Sequence, residues 1–354
     1  MTVSLAPAPA IDKVSSATRS ARPLPTSGDL RRVLPVSSAL VRRIESQRQA
    51  IRDILAGDDD RLLVVVGPCS VDDPEAALEY ARRLAALMPH VEDRLLPVMR
   101  VYVEKPRTTV GWKGLAYDPD LDGSGDMARG IEVSRQLMRD VANLGLPVAT
   151  EILQPMLASY VDDLLCWVAV GARTTESQLH REVASGLAAA VGFKNATGGD
   201  IGVALDAMRS AAHPHSHFGL DDEGRPAVRD TTGNPHTQLV LRGGHGEPNY
   251  QAVHVQAARR ALEDAGLSPR LMVDCSHANA RKDHRRQSEV LLDVLTQRLA
   301  GERALVGVML ESHLHEGKQP LEPGRRRHGV SVTDACISWE TTEHLLLTAA
   351  ERLR

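Results

Sequence analysis

One stretch decides the fold of this chain, residues 62–103: LLVVVGPCSVDDPEAALEYARRLAALMPHVEDRLLPVMRVYV. It opens and closes with a short apolar run rich in β-branched residues, as expected for buried strands. Between the runs, Asp73 suits a helix N-cap and Pro74 suits the first turn. Apolar residues then recur on one helical face, at Ala77, Tyr80, Leu84 and Leu87. Because continuous apolar strands are typical of parallel sheets covered by helices, the stretch predicts a strand–helix–strand unit.

The same alternation recurs along the rest of the chain. Strand-like runs occur eight times: LLVVVG from Leu62, LLPVMRVYV from Leu95, PVATEIL from Pro147, CWVAVGA from Cys166, AVGFKN from Ala190, TQLVLRG from Thr237, LMVDCSH from Leu271 and LVGVMLE from Leu305. Each is followed by a helical stretch, and apolar stripes include Ile131, Ser134, Met138 and Val141, then Leu179, Val183 and Leu187, then Val290, Val294 and Leu295. Eight such units predict an α/β fold, a closed (β/α)8 TIM barrel.

Two segments lie outside this rhythm. We expect residues 1–50 to form a flexible arm and an N-terminal extension, because residues 1–28 are rich in Ala, Pro and Ser and show no period. An organellar transit peptide is the alternative for this arm. Residues 212–234 alternate around a D-D-E-G turn and predict a β-hairpin insertion. The catalytic barrel is therefore expected over residues 51–354.

Composition narrows the class of protein. A formal net charge of -4 and an aromatic content of 3% argue against a nucleic-acid partner. No run approaches the roughly 18 apolar residues of a membrane helix, so no membrane partner is expected. The 4 cysteines are too few and too far apart for a disulfide scaffold. We therefore expect a cytoplasmic protein.

Reactive side chains fall where the predicted strands end. The carboxyl ends of barrel strands converge on one face and form the active site. Six of these side chains are cationic: Arg100, Lys105, Arg107, Arg173, Lys194 and Arg242. The others are Cys69, Glu151, His277 and Glu311, with Asp334 in the loop before the last helix. This concentration of cations in a chain of net negative charge predicts a multiply anionic substrate.

Four of these residues form a metal-capable set. Thiolate, imidazole and carboxylate suit a first-row divalent metal that acts as a Lewis acid, and they are supplied by Cys69, His277, Glu311 and Asp334. The set does not choose among manganese, iron, cobalt, zinc and copper. The histidine-rich run HPHSH at 213–217 is expected to be ordinary loop, because it sits in the insertion.

Several ordered motifs point to one family. They are DDRLLVVVGPCS, VMRVYVEKPRTTVGWKGL, GARTTESQLHRE, VGFKN, LRGG, DCSHAN and TDAC. Together they resemble type I 3-deoxy-D-arabino-heptulosonate 7-phosphate (DAHP) synthase, in the form found in enteric bacteria and fungi, from about Ile51 to Leu347. The resemblance implies a transferase that condenses phosphoenolpyruvate with erythrose 4-phosphate and water and releases phosphate. This reaction opens aromatic biosynthesis.

The resemblance also implies roles for individual residues. One divalent ion, of manganese, iron, cobalt or zinc, would be held by Cys69, His277, Glu311 and Asp334. Phosphoenolpyruvate would be bound by Arg100, Lys105, Arg173, Lys194 and Arg242, with Glu151 nearby. Erythrose 4-phosphate would be bound by Arg107 and Thr108, with Asp334 close to its aldehyde end. The implied assembly is a homodimer or homotetramer.

The implied catalytic residues are Lys105, Cys69 and His277. Lys105 is the candidate proton donor to the new hydroxyl, and a metal-bound water is the alternative donor.

Other functions remain open at this point. A lyase could form a Schiff base through Lys194 or Lys105. A barrel without activity could serve as an amino-acid sensor or a partner protein. Within the same chemistry, arabinose 5-phosphate or an amino sugar phosphate could replace erythrose 4-phosphate.

Overall fold

A computed structural model describes residues 21–107, 109–322 and 325–354. Its strands are β1 (Leu62–Gly67), β2 (Leu95–Arg100), β3 (Val148–Glu151), β4 (Leu165–Val170), β5 (Ala190–Lys194), β6 (Ser216–Leu220), β7 (Pro226–Asp230), β8 (Thr237–Leu241), β9 (Leu271–Asp274) and β10 (Leu305–Glu311). Its helices are α1 (Ser27–Val33), α2 (Ser38–Ala56), α3 (Pro74–Val91), α4 (Met127–Asn143), α5 (Pro155–Val161), α6 (Gln178–Ser185), α7 (Gly202–Ala211), α8 (Ala252–Asp264), α9 (Gln287–Leu299) and α10 (Trp339–Arg352).

The barrel consists of the predicted strands. Within the described part of the chain, eight parallel strands close in the order β1-β2-β3-β4-β5-β8-β9-β10, and β10 pairs with β1 through Gly67 and Glu311 at their carboxyl ends. Every residue of β1, β2, β4 and β10 is buried. Helices cover the outside and side chains fill the inside, which explains the continuous apolar runs. The predicted TIM barrel is confirmed.

The helix after β1 shows how the local sequence positions the cover. The Asp73 side chain accepts hydrogen bonds from the backbone N–H groups of Glu75 (3.0 Å) and Ala76 (3.3 Å), so it is the predicted N-cap. On the buried face, Tyr80 packs edge-on against Trp339 of α10, with ring centroids 5.2 Å apart. None of the described helices is both long enough and apolar enough to cross a membrane.

The apolar stripe predicted for α6 is confirmed at Val183 and Leu187, which pack with the core, and is wrong at Leu179. Leu179 is 43% exposed, whereas His180 and Ala184 are buried. The His180 ring decides the orientation of this short helix, because it bonds Ser177 Oγ (2.8 Å) and the Leu153 carbonyl (2.9 Å). The polar anchor His180 therefore takes the buried position that the apolar period predicted for Leu179.

Two helices precede the barrel. The first begins after a capping box formed by Thr26 and Asp29. The second, α2, runs through residue 50, so the boundary expected there is not a break in the structure. Arg48 of α2 is buried and donates to the carbonyls of Leu165 (2.8 Å) and Asp162 (2.7 Å), at the start of β4. Thus α2 packs against the amino-terminal end of the barrel.

The insertion is the predicted hairpin. Strands β6 and β7 pair antiparallel, with Phe218 opposite Val228. Their turn is closed by a hydrogen bond from Asp221 N–H to the Arg225 carbonyl (3.0 Å), and Gly224 has φ +76°, which favours glycine. The histidines at 213 and 215 bond nearby carbonyls of Arg209 and Ser210 and lie in loop, as predicted, whereas residues 216–217 of the same run begin β6.

Candidate active site at the carboxyl ends of the strands

A cavity of about 330 Å³ opens at the carboxyl ends of the barrel strands. Predicted site residues line it from every barrel strand or the loop that follows: Cys69, Arg100, Lys105, Arg107, Glu151, Arg173, Lys194, Arg242, His277, Glu311 and Asp334. Thr108 lies outside the described residues. The structure therefore brings the described members of the predicted site to one place.

A thiol and two carboxylates form the centre of one wall. One ligand-capable atom each from Cys69, Glu311 and Asp334 lies within 4.8 Å of the others. The Lys105 ammonium sits against this cluster, with Nζ 2.8 Å from Cys69 Sγ and 2.8 Å from Asp334 Oδ2. Three of the four predicted metal ligands are therefore clustered, and a cationic group already lies beside them.

The charges in this cluster shift one another's pKa values. Burial raises the pKa of the Cys69 thiol to about 11, and Glu311 adds to the rise. Burial alone would raise the pKa of Asp334, but the Lys105 ammonium outweighs it and holds that pKa well below its usual range. Burial alone would lower the pKa of Lys105, but Cys69 and Glu311 outweigh it and raise that pKa. Lys105 is therefore charged near neutral pH.

The fourth predicted ligand, His277, lines the same cavity outside that group of three. Its backbone has φ +55°, in the left-handed region that non-glycine residues rarely adopt. This turn aims its Nδ1 atom at Asp274 Oδ2 (2.9 Å) and Ser276 Oγ (2.6 Å). The ring is thus held from behind by the end of β9.

Arg100 at the end of β2 is a buried cation in the cavity wall. Its side chain is 1% exposed, its guanidinium carbon lies 3.9 Å from the centroid of the Tyr102 ring, and Nη2 is 3.4 Å from Glu311 Oε1. Nε donates to the Pro68 carbonyl (3.2 Å). Nη1 is buried with no hydrogen-bond partner among the described residues. A buried donor at the cavity wall suits an anionic ligand.

Further cations line the cavity from other strands. Lys194 at the end of β5 is buried, and its Nζ lies 2.9 Å from Asp274 Oδ2. Burial alone would raise the pKa of Asp274, but Lys194 and His277 outweigh it and hold that pKa well below its usual range. Burial lowers the pKa of Arg242, and the nearby Arg173 adds to this effect. Like charges therefore crowd one side of the cavity.

Sequence reasoning missed several residues of the site. Glu104 lines the cavity, and Asp274 and Gln287 support it from behind. The Gln287 amide pins the backbone of Glu311, accepting from its N–H (2.8 Å) and donating to its carbonyl (2.9 Å). An acidic residue at the end of an apolar strand was a usable signal for Asp274. The roles of Glu104 and Gln287 depend on contacts across the fold.

Glu104 is a buried carboxyl group that ties two loops together. It accepts hydrogen bonds from the backbone N–H groups of Leu153 (3.0 Å) and Gln154 (3.1 Å) and from the Tyr117 hydroxyl (3.2 Å). Burial raises the pKa of Glu104 to about 7 in spite of these bonds, and the nearby Glu151 adds to the rise. The protonation of this group therefore changes near neutral pH.

Fold and site together define a class of protein: a (β/α)8-barrel enzyme for multiply anionic substrates, with donors for a divalent metal. A sequence model of the DAHP synthetase I family matches residues 39–347. The chain therefore belongs to the DAHP synthetase I family, and the resemblance seen in the motifs is confirmed. The activity of this family is 3-deoxy-7-phosphoheptulonate synthesis, a transferase reaction that opens aromatic biosynthesis, and the family uses a divalent metal.

Individual relatives agree over most of their length. The tyrosine-sensitive phospho-2-dehydro-3-deoxyheptonate aldolase of Salmonella typhimurium is 53% identical over 325 residues, covering 91% of this chain and 91% of that protein. The tyrosine-inhibited enzyme of Schizosaccharomyces pombe is 48% identical over 337 residues, covering 94% and 91%. The solved structure of the aldolase from Francisella tularensis matches with a TM-score of 0.92 and 41% identity, covering 95% of this chain and 99% of that one.

We expect Glu104 to make folding stability depend on pH. The folded protein keeps a proton on Glu104 up to a pKa of about 7, whereas the unfolded chain releases it at about 4.5. Stability contributed by this group is therefore lost as pH rises from about 4.5 to about 7, by up to about 1.4 kcal/mol per pH unit. Glu104→Gln keeps an acceptor for Leu153 and Gln154 and should remove this loss.

The measurement is urea unfolding of wild type and variant at pH 5, 6, 7 and 8. The stability of Glu104→Gln relative to wild type should rise from pH 5 to about pH 7 and level off by pH 8. Glu132→Gln, at an exposed position of α4, is the matched control. Its free energy of unfolding should change with pH in the same way as that of wild type. If the free energy of unfolding of Glu104→Gln also changes with pH as wild type does, the prediction that buried Glu104 is protonated below pH 7 is contradicted.

Proposed function

We propose that this cavity joins phosphoenolpyruvate to erythrose 4-phosphate, with water as third reactant, and releases phosphate and DAHP. One observation supports the proposal: a single cavity of about 330 Å³ is lined by two sets of groups. One is a cationic wall, which consists of Arg100, Arg173, Lys194 and Arg242, and the other is a thiol–carboxylate cluster, which consists of Cys69, Glu311 and Asp334. Both substrates are phosphate esters, and phosphoenolpyruvate also carries a carboxylate. Arginine and lysine side chains are the protein groups that bind such anions most strongly.

The donor set fits a divalent metal. Cys69, Glu311 and Asp334 offer soft and hard ligand atoms within 4.8 Å of one another. The Lys105 ammonium between Cys69 and Asp334 indicates that positive charge is favoured at this point. We propose that Cys69, His277, Glu311 and Asp334 hold the metal. When bound, a divalent metal supplies Lewis-acid polarisation of the aldehyde oxygen.

Phosphoenolpyruvate is assigned to the cationic wall. Arg100 lines the cavity, and its Nη1 is a buried donor without a partner among the described residues, which a carboxylate or phosphate oxygen would satisfy. Lys194 is held in place by its ion pair with Asp274. Arg173 and Arg242 complete the set, with Glu151 in the wall beside them. Planar guanidinium groups fix the orientation of the bound anion, so its methylene carbon can be aimed at the aldehyde.

Erythrose 4-phosphate is assigned to the rim of the cavity. Arg107 is exposed there, and its Nε donates to the Trp112 carbonyl (2.7 Å), which holds the guanidinium near the mouth. An exposed arginine at the rim suits the phosphate of a substrate whose other end reaches inward. Thr108 stays a prediction from the resemblance.

The reaction forms one carbon–carbon bond and releases one phosphate. The methylene carbon of phosphoenolpyruvate bonds to the aldehyde carbon, and the aldehyde oxygen takes up a proton to become a hydroxyl. Water adds to the carbon that bears the phosphate, and phosphate then departs. Lys105 is the proposed source of the proton, because its charged Nζ lies at the cluster that faces the aldehyde end. Cys69 and His277 contribute as proposed metal ligands.

The contacts of both lysines argue against a Schiff-base lyase. Such an enzyme needs a neutral lysine, usually one whose pKa is depressed. Lys105 is ion-paired to Asp334 at 2.8 Å and its pKa is raised, because Cys69 and Glu311 outweigh the effect of burial. Lys194 is ion-paired to the buried Asp274. The Lys105 ammonium is therefore stabilised in its charged form, and Lys194 is engaged by a carboxylate.

The first test is turnover of the purified protein. We expect phosphoenolpyruvate and erythrose 4-phosphate to yield equal amounts of phosphate and DAHP, with activity lost in EDTA and restored by added manganese, because Cys69, His277, Glu311 and Asp334 would hold a metal that supplies Lewis-acid chemistry. Arabinose 5-phosphate in place of erythrose 4-phosphate is the control for acceptor choice. Failure with erythrose 4-phosphate in every divalent metal, or full activity in EDTA, would contradict the proposal.

We also propose that the chain assembles as a homodimer or homotetramer. Support comes from the hairpin, where the paired residues Phe218 and Val228 are 93% and 65% exposed. Burying such an apolar pair against a second copy would be favourable. Sedimentation at micromolar concentration should give two or four times the mass of the chain, and Phe218→Ser should shift the protein toward smaller species. A monomer of the wild-type chain would contradict this.

A further inference from the structure

Asp274 is a fully buried carboxylate directly behind the active site. It is the last residue of β9, and its side chain is 0% exposed. Burying a carboxylate is costly unless charged or hydrogen-bonding partners surround it, so its contacts need to be accounted for. Neither the metal cluster nor the cavity lining includes it.

One oxygen of Asp274 contacts both halves of the site. Oδ2 lies 2.9 Å from Lys194 Nζ on the cationic wall and 2.9 Å from His277 Nδ1 on the metal side. The other oxygen, Oδ1, accepts from the Ser276 hydroxyl (2.6 Å) and the Ser276 backbone N–H (3.0 Å). The carboxylate is therefore held by its own turn and shared between two side chains from different strands.

These contacts determine which ring nitrogen of His277 carries the hydrogen. An ionised carboxylate only accepts hydrogen bonds, so the Nδ1 atom that faces Asp274 carries the hydrogen. In the neutral ring, Nε2 is then the atom with a free lone pair. A carboxylate behind a histidine is the usual device that orients a metal-ligating ring and increases its basicity.

The same oxygen fixes Lys194. The ammonium is buried, and it donates to Asp274 Oδ2. Without the Asp274 carboxylate, the buried Lys194 ammonium would lose this ion pair and would lie near the other cations of the wall. Its aim toward a bound anion therefore depends on Asp274.

We propose that Asp274 is a positioning residue shared by the two halves of the active site, orienting His277 for the metal and Lys194 for phosphoenolpyruvate. This inference rests on the proposed function, and it assigns Asp274 no contact with substrate or metal. Its consequence is specific: one substitution at Asp274 weakens two binding events that involve different ligands.

Asp274→Asn is the main variant. An asparagine of the same size offers one acceptor oxygen and one NH₂ group in place of two acceptors. If the oxygen serves Lys194 and His277, the NH₂ group faces the donors of Ser276, and the reverse arrangement turns it toward Lys194 and His277. Either way the charge is lost and one set of donors meets another donor.

Two binding titrations on the purified full-length protein test the proposal. Manganese binding is measured by electron paramagnetic resonance of the free ion, and phosphoenolpyruvate binding by calorimetry in EDTA. For Asp274→Asn we expect the manganese Kd to rise about 10- to 100-fold. We expect the phosphoenolpyruvate Kd in EDTA to rise about tenfold or more, because a charge-assisted contact is lost.

Two control variants separate this role from general damage. Ser276→Ala removes the hydroxyl that contacts Asp274 and His277 but leaves the Lys194 ion pair, so manganese binding should weaken severalfold and phosphoenolpyruvate binding should change by less than about twofold. Asn279→Ala removes hydrogen bonds to the carbonyls of Asp274 (2.8 Å) and Leu241 (3.1 Å) without touching the carboxylate. Asn279→Ala should lower the free energy of unfolding by more than it lowers the binding free energy of either manganese or phosphoenolpyruvate.

The outcomes are decisive in each case. A folded Asp274→Asn protein that keeps wild-type affinity for either ligand would overturn the proposal. If that variant does not fold, an unchanged manganese Kd in Ser276→Ala, or an equal loss of both affinities, would do the same. Wild-type protein that binds manganese and phosphoenolpyruvate but makes no DAHP would contradict the proposed function while leaving the Asp274 result intact.

Discussion

The structure depends on how positive charge is held inside the mouth of the barrel. Buried cations repel one another and lose hydration, so each needs a fixed anionic or carbonyl partner. Lys194 has Asp274, Lys105 has Asp334, and Arg100 has Glu311 together with backbone carbonyls. Asp274 and Glu311 end β9 and β10, and Asp334 lies in the loop before α10. The closed barrel brings them within reach, and Arg100 Nη1, which is buried without a hydrogen-bond partner among the described residues, adds a donor beside a cavity lined by cations.

Much of the fold was predictable because its strongest signal is local. Strands buried on both faces must be apolar throughout, and the run from Leu62 to Gly67 shows this without any tertiary knowledge. The cap at Asp73 is equally local. By contrast, the orientation of α6 depends on the bond from His180 to the Leu153 carbonyl, and the placement of α2 depends on Arg48 reaching the start of β4. Such contacts join distant parts of the chain, so periodicity does not reveal them.

The site residues also fall into two groups: those that the sequence predicts, and those whose role depends on contacts between distant parts of the chain. The strand-end rule and the motif resemblance together selected side chains that do line one cavity, from Cys69 to Asp334. The supporting residues were not selected, because their function lies in geometry that a strand-end position does not show. Asp274 lies behind Lys194 and His277 and is not itself part of the cavity lining, and Gln287 acts through the backbone of Glu311. Glu104 was hidden for another reason: its burial, which raises its pKa to about 7, depends on loops that come together only in the fold.

The central claim is that one cavity holds a divalent metal on its thiol–carboxylate side and phosphoenolpyruvate on its cationic side. The most direct measurement is a crystal structure of the protein grown with manganese and phosphoenolpyruvate, using anomalous scattering to locate the metal. We predict one strong anomalous peak bonded to Cys69, His277, Glu311 and Asp334, with phosphoenolpyruvate beside it on Arg100 and Lys194. A metal peak elsewhere, or phosphoenolpyruvate bound away from the cationic wall, would contradict the account.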